Sequence, residues 1–302
     1  MPKPIKITLD TSRYVAPTEA DIREAKRYIL HRNDVANELQ YVIADLLQNA
    51  AVKIVRIAYK YNFPGEVFTI GASPEQQQEI NAVMDELEQK ILERLEEMIL
   101  DGIADDDNLS AVPVGFPAAR RAALLAFMLS LGHGNRNLRS TLFNYEWRFL
   151  YDLEAAIAAL KLVGTDEANA ITRVRSSIGS IYTMSEVQAA IKRPNNVMAE
   201  FLRTQGVPHN PDGTPNLQGV PREGYNAIIN SIRITNDIVW GHNQFLNFVD
   251  RNAAGFYVLR GSDYRCKMCD DNTGFHHMSE QEALPPLHPH CQCYAIPIFE
   301  NI

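Results

Sequence analysis

The stretch from Cys266 to Cys293 reads CKMCDDNTGFHHMSEQEALPPLHPHCQC and contains all four cysteines of the chain. Cys266 and Cys269 form a Cys-x-x-Cys pair, and Cys291 and Cys293 follow after residues 270–290, with His288 just before them. Thiolates and imidazoles in so short a segment are the ligands of closed, tetrahedral zinc sites. Four cysteines are too few for a disulfide scaffold. The pattern therefore predicts a structural zinc site in a reducing compartment.

The spacing leaves two ligand sets open, because zinc needs only four of the candidate side chains. One set is the four cysteines. The other contains Cys266, Cys269, His288 and either Cys291 or Cys293. Cysteines two residues apart share one face of an extended segment, because side chains alternate there with a period of two. His276 and His277 are weaker candidates that are better explained as loop histidines.

The chain as a whole has the composition of an ordinary globular protein. It has 302 residues, of which 46% are hydrophobic and 22% are charged, enough for one large or two modest domains. No run of about eighteen apolar residues is present, so we expect no membrane-spanning helix. The first residues, Met1 to Tyr14, lack the apolar stretch and small-residue cleavage site of a secretory signal.

The pattern is helical from residue 17 to about residue 164. Thr18 with Asp21 resembles a capping box and starts a first helix, and a second is predicted from Asn33 or Asp34 to Tyr61. The pair Ser73-Pro74 starts the next helix, because serine caps well and proline suits the first helical position. Further helices are predicted over Phe116–Leu131, Leu138–Leu162 and Arg222–Arg251.

Beyond Gly255 the pattern changes to short strand-like runs on both sides of the cysteines. Phe256–Leu259 and Tyr294–Phe299 are the two predicted strands. Val207–Pro221 is rich in proline, glycine and asparagine and predicts an extended linker. The fold class is therefore mainly α, with an elongated helical body over residues 1–220 and a small C-terminal α+β module over residues 221–302, stabilised by zinc.

Charge is spread unevenly along the chain. Ser73–Asp107 carries twelve acids against two bases, while the chain as a whole has a net charge of −8. The stretch Ala118–Arg139 is basic and free of acids, so it is the candidate for weak contact with DNA or for pairing with the acidic helix. Its arginines are Arg120, Arg121, Arg136 and Arg139. The cysteine module itself has five acids and two bases over Gly261–Cys293, which argues against a DNA-reading finger.

The segment from Arg222 to Phe299 resembles the phage head morphogenesis proteins of the Mu protein F-like type, also called minor head proteins. The resemblance consists of a long helix carrying Arg233-Ile234-Thr235-Asn236, a short strand, Cys266-x-x-Cys269, Gly274 and the ending Pro285-Pro286-Leu287-His288-Pro289-His290-Cys291-Gln292-Cys293. The proline-proline-x-His-Pro-x-Cys-x-Cys ending is the specific element. Members usually carry Arg-Thr-Glu on the helix, asparagine before the penultimate cysteine and arginine between the last two. Ile234, His290 and Gln292 depart from that pattern.

The resemblance implies a virion component that acts in head assembly near the portal, with phage portal and capsid proteins as partners and no membrane contact. Such a protein is made in the host cytoplasm, where zinc thiolates stay reduced, and it is not expected to be an enzyme. Weak contact with packaged DNA would run through the basic stretch. The alternative is a zinc-containing nuclease or toxin-like effector. Toxin domains of the family lie beyond the cysteine module, and this sequence extends only to Ile302, so we expect the structural role.

Overall fold

The computed structural model describes residues 8–61, 73–111, 113–132, 136–192, 223–288 and 290–301. The predicted linker Val207–Pro221 lies outside these residues, and so does the predicted boundary between residues 220 and 221. Pro289, within the cysteine segment, also lies outside them.

Eight α-helices and three short strands make up the regular structure of the described residues, which confirms the mainly α fold with a small α+β region at the C-terminal end. The helices are α1 (Glu19–Lys60), α2 (Pro74–Leu109), α3 (Ala118–Ser130), α4 (Leu138–Leu162), α5 (Glu167–Ser177), α6 (Ser185–Ile191), α7 (Gly224–Asp250) and α8 (Lys267–Asp271). The strands are β1 (Gly255–Leu259), β2 (Gly274–His277) and β3 (Tyr294–Ile298). Among the described residues, each helix is too short or too polar to cross a lipid bilayer.

The first two helices begin where the capping residues predict. The Thr18 amide and hydroxyl both donate to the Asp21 carboxylate, at 2.8 and 2.6 Å, and the Asp21 amide donates back to Thr18 Oγ1. At α2, the Gln76 amide donates to Ser73 Oγ at 3.1 Å. These bonds satisfy amides that have no partner inside a helix.

The predicted break between two helices at Asn33 or Asp34 is wrong. Helix α1 runs without interruption from Glu19 to Lys60. Neither glycine nor proline occurs in it, so nothing in the backbone forces an end. Asn33 does not cap a helix here, because its side chain is hydrogen-bonded to a residue of the cysteine segment.

The sheet has the strand order β2-β1-β3, and both neighbours run antiparallel to β1. Tyr257 in the middle of β1 pairs with Phe275 on one side and with Ile296 on the other. All five residues of β1 are buried, as expected for the central strand. Past the end of β3, the Val15 amide donates to the Phe299 carbonyl at 2.9 Å, so the N-terminal segment pairs with the end of the chain.

The contacts divide the chain into two compact units. Unit 1 comprises Met1–Leu39, Leu95–Leu131 and Ile232–Ile302, and unit 2 comprises Gln40–Arg94 and Gly132–Ser231. Helices α1, α2 and α7 each contribute a segment to both units. Residues 1–39 and 95–131, which the sequence division assigns to the helical body, thus share a unit with the cysteine segment.

Unit 2 is built around α4, whose residues 152–160 are all buried. Asp152 is the polar centre of this core: it accepts hydrogen bonds from the Tyr182 hydroxyl at 2.6 Å and the Gly224 amide at 2.7 Å. Arg148 Nε lies 3.0 Å from the same carboxylate. Burial raises the pKa of Asp152 to about 6, while Arg148 opposes that rise.

A second buried carboxyl of unit 2 has weaker compensation. Glu146 is 3% exposed, and its Oε1 atom has no hydrogen-bond partner among the described residues. Burial raises the pKa of Glu146 to about 8, repulsion from Glu88 and Asp85 adds to the rise, and Arg139 opposes it. Glu146 therefore tends to stay protonated inside unit 2 at neutral pH.

Candidate metal centre

The Cys-x-x-Cys pair is positioned by the short helix α8. Cys266 is the residue before its first turn, with an extended backbone, and its carbonyl accepts the Asp270 amide at 2.9 Å. The chain turns there so that the Cys266 sulfur faces the amides of the helical turn. Hydrogen bonding from the Cys269 amide and thiol lowers the pKa of Cys266. This arrangement offsets sulfur charge in the way a metal-binding knuckle requires.

The second pair is positioned by a turn that leads into β3. The Cys291 amide donates to the His288 carbonyl at 3.0 Å, and His290 adopts a left-handed backbone conformation with φ of 63°. Cys293 then directly precedes the first residue of β3. A hydrogen bond from the Cys293 thiol lowers the pKa of Cys291 to about 5. This turn provides the reversal that two cysteines spaced by one residue need to reach one ion.

These turns bring all five predicted ligand residues together. His288 Nε2 lies 3.2 Å from Cys266 Sγ and 3.0 Å from Cys269 Sγ. Cys269 Sγ lies 4.0 Å from Cys291 Sγ. Two groups of possible ligands, each with its donor atoms within 4.8 Å of one another, share one cysteine. They are Cys266, Cys269 and His288, and Cys269, Cys291 and Cys293.

The distances agree with the edges of a small tetrahedron. Bonds of about 2.3 Å to sulfur and about 2.0 Å to nitrogen at tetrahedral angles separate two sulfurs by about 3.8 Å and a sulfur from a nitrogen by about 3.5 Å. The observed sulfur–sulfur distance is 4.0 Å, and the sulfur–nitrogen distances are 3.0 and 3.2 Å. These three distances are near those of a tetrahedral site, but among the described residues no four of the donor atoms all lie within 4.8 Å of one another. The cluster could hold a metal ion if the two groups of three moved closer together.

Three of the five cluster residues are buried, while Cys266 and His288 are partly exposed. Cys269, Cys291 and Cys293 are 3%, 0% and 2% exposed, and they belong to one hydrophobic cluster with Phe248 and Phe256. Burial raises the pKa of Cys269 to about 12, since a thiolate loses its hydration there. Several sulfurs in an apolar surrounding therefore favour a bound cation that compensates their charge.

Gly261 allows the two halves of the cluster to approach each other. A Cβ atom at this position would lie 1.7 Å from the carbonyl oxygen of Gln292, the residue between the last two cysteines. Only glycine fits so close to another backbone. Beside it, burial tends to lower the pKa of Arg260, but the charges of Asp270 and of the nearby cysteines raise it overall. A glycine after the first strand is the sequence signal that indicates this close approach.

The other histidines of the module do not belong to either group of possible ligands found among the described residues. His276 Nε2 lies 3.0 Å from the Asn272 carbonyl, and its ring stacks on Phe256 with centroids 5.5 Å apart. His277 is exposed at the end of β2. Their loop and strand environments agree with the lower weight that the sequence gives them as ligands.

Two further contacts reach the cysteine segment from α1. Arg32 Nη2 donates to the Cys291 carbonyl at 2.6 Å, and Asn33 Nδ2 donates to Gln292 Oε1 at 2.8 Å. Sequence reasoning missed both, because nothing in the local pattern connects residues that lie so far apart along the chain. The one sequence signal for these contacts is that two polar residues, Arg32 and Asn33, are adjacent in an amphipathic helix.

The four arginines of the basic stretch have different environments. Arg120 is 11% exposed, and it donates to Asn243 and Asn247 at 3.2 and 2.8 Å and pairs with Asp250.

Arg121 and Arg139 pair with carboxylates of the acidic helix α2, Asp101 and Glu88, each at 2.6 Å. Arg136 is exposed. Of the two uses that the sequence suggests, pairing with the acidic helix is observed for Arg121 and Arg139.

No family model, no curated protein and no solved structure matches this chain. Fold and site together define a class: a mainly α protein whose C-terminal region carries a buried cysteine and histidine cluster able to hold a metal ion.

Proposed function

We propose that the cysteine and histidine cluster holds one structural zinc ion and that the protein is a phage minor head protein of the Mu protein F-like kind. The observation that carries the proposal is the ending of residues 285–293, Pro-Pro-x-His-Pro-x-Cys-x-Cys, in a chain whose final cysteines meet Cys266-x-x-Cys269 and His288 in space.

The ligand set we propose is Cys266, Cys269, His288 and Cys291. His288 Nε2 contacts both sulfurs of the Cys-x-x-Cys pair and so completes one face of a tetrahedron. Cys291 Sγ, 4.0 Å from Cys269 Sγ, supplies the fourth corner. The Cys293 sulfur lies within 4.8 Å of the sulfurs of Cys269 and Cys291 and would remain an additional thiol. Thiolate-rich, four-ligand coordination is typical of structural zinc, which adds folding free energy and performs no turnover.

The role that follows is assembly of the phage head. The zinc-stabilised module would present a rigid surface to portal or capsid proteins in the host cytoplasm, and the protein would be part of the virion head. Contact with packaged DNA would be weak. Arg136 is its best-placed residue, because Arg120, Arg121 and Arg139 already have acidic partners.

The zinc proposal is tested by elemental analysis of protein purified without added metal, with one equivalent of zinc per chain expected. Variants then separate the ligand sets: His288→Ala lowers zinc content or affinity, while Cys293→Ser keeps one equivalent. Loss of zinc on Cys293→Ser with retention on His288→Ala would instead assign the four cysteines.

The head proposal is tested by cryo-electron microscopy of assembled particles, in which density for this chain is expected near the portal. Particles assembled without the protein should be defective or fewer. If the chain is absent from heads at every stage of assembly, the proposal is refuted. Metal-dependent cleavage of nucleic acid by the purified protein, abolished by His288→Ala, would favour the nuclease.

A further inference from the structure

Two adjacent residues of α1 contact two adjacent residues of the metal loop, which we define as Cys291 to Cys293. Arg32 Nη2 donates to the carbonyl of Cys291 at 2.6 Å. Asn33 Nδ2 donates to the side-chain oxygen of Gln292 at 2.8 Å. Two neighbouring hydrogen bonds restrain both the position and the rotation of the short loop, so α1 sets where the Cys291 sulfur lies.

Arg32 is itself held firmly by α7. It is 1% exposed, and its Nε atom lies 3.4 Å from the carboxylate of Asp237, which is 2% exposed. Asn236, the preceding residue, donates from Nδ2 to the backbone carbonyl of Arg32 at 3.3 Å. A buried guanidinium is tolerated only when its charge is paired and its donors are used. Asp237 pairs with the charge at ion-pair distance, although Arg32 Nε forms no hydrogen bond among the described residues. Nη2 donates to the Cys291 carbonyl and to Asn33 Oδ1.

The charge of Arg32 also suits a bound zinc. Three thiolates and one neutral imidazole around Zn²⁺ carry a net charge of −1, because three negative charges exceed the two of the ion. The Arg32 guanidinium bonds directly to the backbone of one ligand in a region sheltered from water. It therefore offsets that excess charge where solvent screening is weak.

We propose that Arg32, held by Asp237, is a positioning residue for the metal site, so that zinc binding and the seating of the metal loop on α1 depend on each other. The proposal rests on the structural zinc proposed above. Outer residues that orient metal ligands change metal affinity by about 10- to 100-fold when they are replaced. Because coupling is reciprocal, zinc must in turn stabilise the contact between α1 and the loop.

Arg27 is a matched control on the same helix. It is 29% exposed and pairs with Asp106 at 2.7 Å and with Glu24 at 2.9 Å, both outside the metal loop. Arg27→Met therefore removes a partly buried ion-paired arginine from α1 while leaving the contacts of the loop in place. An effect on zinc that Arg32→Met has and Arg27→Met lacks is specific to the contacts of Arg32 with Asp237 and the metal loop.

The experiment measures zinc affinity by competition with a chelator for the full-length wild type and the variants, and compares the absorption spectra of their Co²⁺ forms. We expect Arg32→Met to weaken zinc binding about 10- to 100-fold and to alter the Co²⁺ spectrum. Arg27→Met should leave both unchanged even where it lowers the melting temperature. Arg32→Lys keeps the charge but not the fork and should give an intermediate affinity.

Wild-type zinc affinity and spectrum in Arg32→Met, with only a lower melting temperature, would overturn the proposal. If Arg32→Met does not fold, Arg32→Lys together with Gln292→Ala decides in its place. Wild-type affinity in both of those variants overturns the proposal, and a weakened affinity supports it. A wild-type protein that binds no zinc at all refutes the structural zinc instead, so the two failures are distinguishable.

Discussion

Replacing Gly261 by alanine should displace the metal loop. The added Cβ would lie 1.7 Å from the Gln292 carbonyl oxygen and 2.6 Å from its carbonyl carbon, whereas real Cβ contacts essentially never fall below 3.0 Å. The difference of 3.0 and 1.7 Å requires a relative movement of at least about 1.3 Å. Both opposing atoms belong to the backbone, so no change of rotamer relieves the contact.

A movement of that size is large for the proposed ligand Cys291, which precedes Gln292, because it exceeds half the length of a zinc–sulfur bond of about 2.3 Å. Overpacking of this kind costs about 1–3 kcal/mol of folding stability. We expect zinc affinity to fall by at least about tenfold, which corresponds to about 1.4 kcal/mol. Chelator competition measures the affinity, and thermal unfolding with and without chelator measures the stability.

Gly179→Ala is the matched control. A Cβ at Gly179 has its nearest neighbour at 3.3 Å, and its closest contacts are with side chains of unit 2. Alanine there should change stability by about 1 kcal/mol or less through the unfolded chain, and zinc affinity not at all. If Gly261→Ala binds zinc as tightly as the wild type and unfolds at the same temperature, the close approach does not determine the position of the loop.

Four further outcomes are expected. Acid should release the metal, because ligating thiolates must stay deprotonated, and a chelator should remove it by competition. Hydrogen exchange of residues 232–301 should then increase more than that of α4. Cys266→Ser should reproduce this loosening without metal removal, which limited proteolysis can detect. Burial raises the pKa of Glu146 from 4.5 to about 8. Its protonated form therefore adds to the free energy of unfolding, fully below about pH 4.5, and this contribution is lost as the pH rises through 8. In urea unfolding at several pH values, Glu146→Gln should reduce this loss of unfolding free energy by a few kcal/mol at most. The same substitution at the exposed Glu93 should leave the pH dependence unchanged. Arg136→Glu should weaken binding to DNA without lowering the melting temperature, and no change in binding would exclude this residue from any DNA contact.

The local features of this protein follow from its sequence. Helix caps at Thr18 and Ser73 are where the residue types predict them, because caps are satisfied by side chains two or three positions away. The two cysteine turns are also local, because the hydrogen bonds that shape each of them are short-range. The mainly α class follows from periodicity summed over long windows.

The tertiary structure determined which segments of the chain contact each other. The buried pair of Arg32 and Asp237 and the strand β2 both depend on contacts between distant parts of the chain. The division into units is of the same kind, since residues near the N-terminus share a unit with the cysteine segment. Side-chain packing, charge pairing and the close backbone contact at Gly261 each require two surfaces to meet. The hydrophobic periodicity of one segment does not say which other segment it will contact.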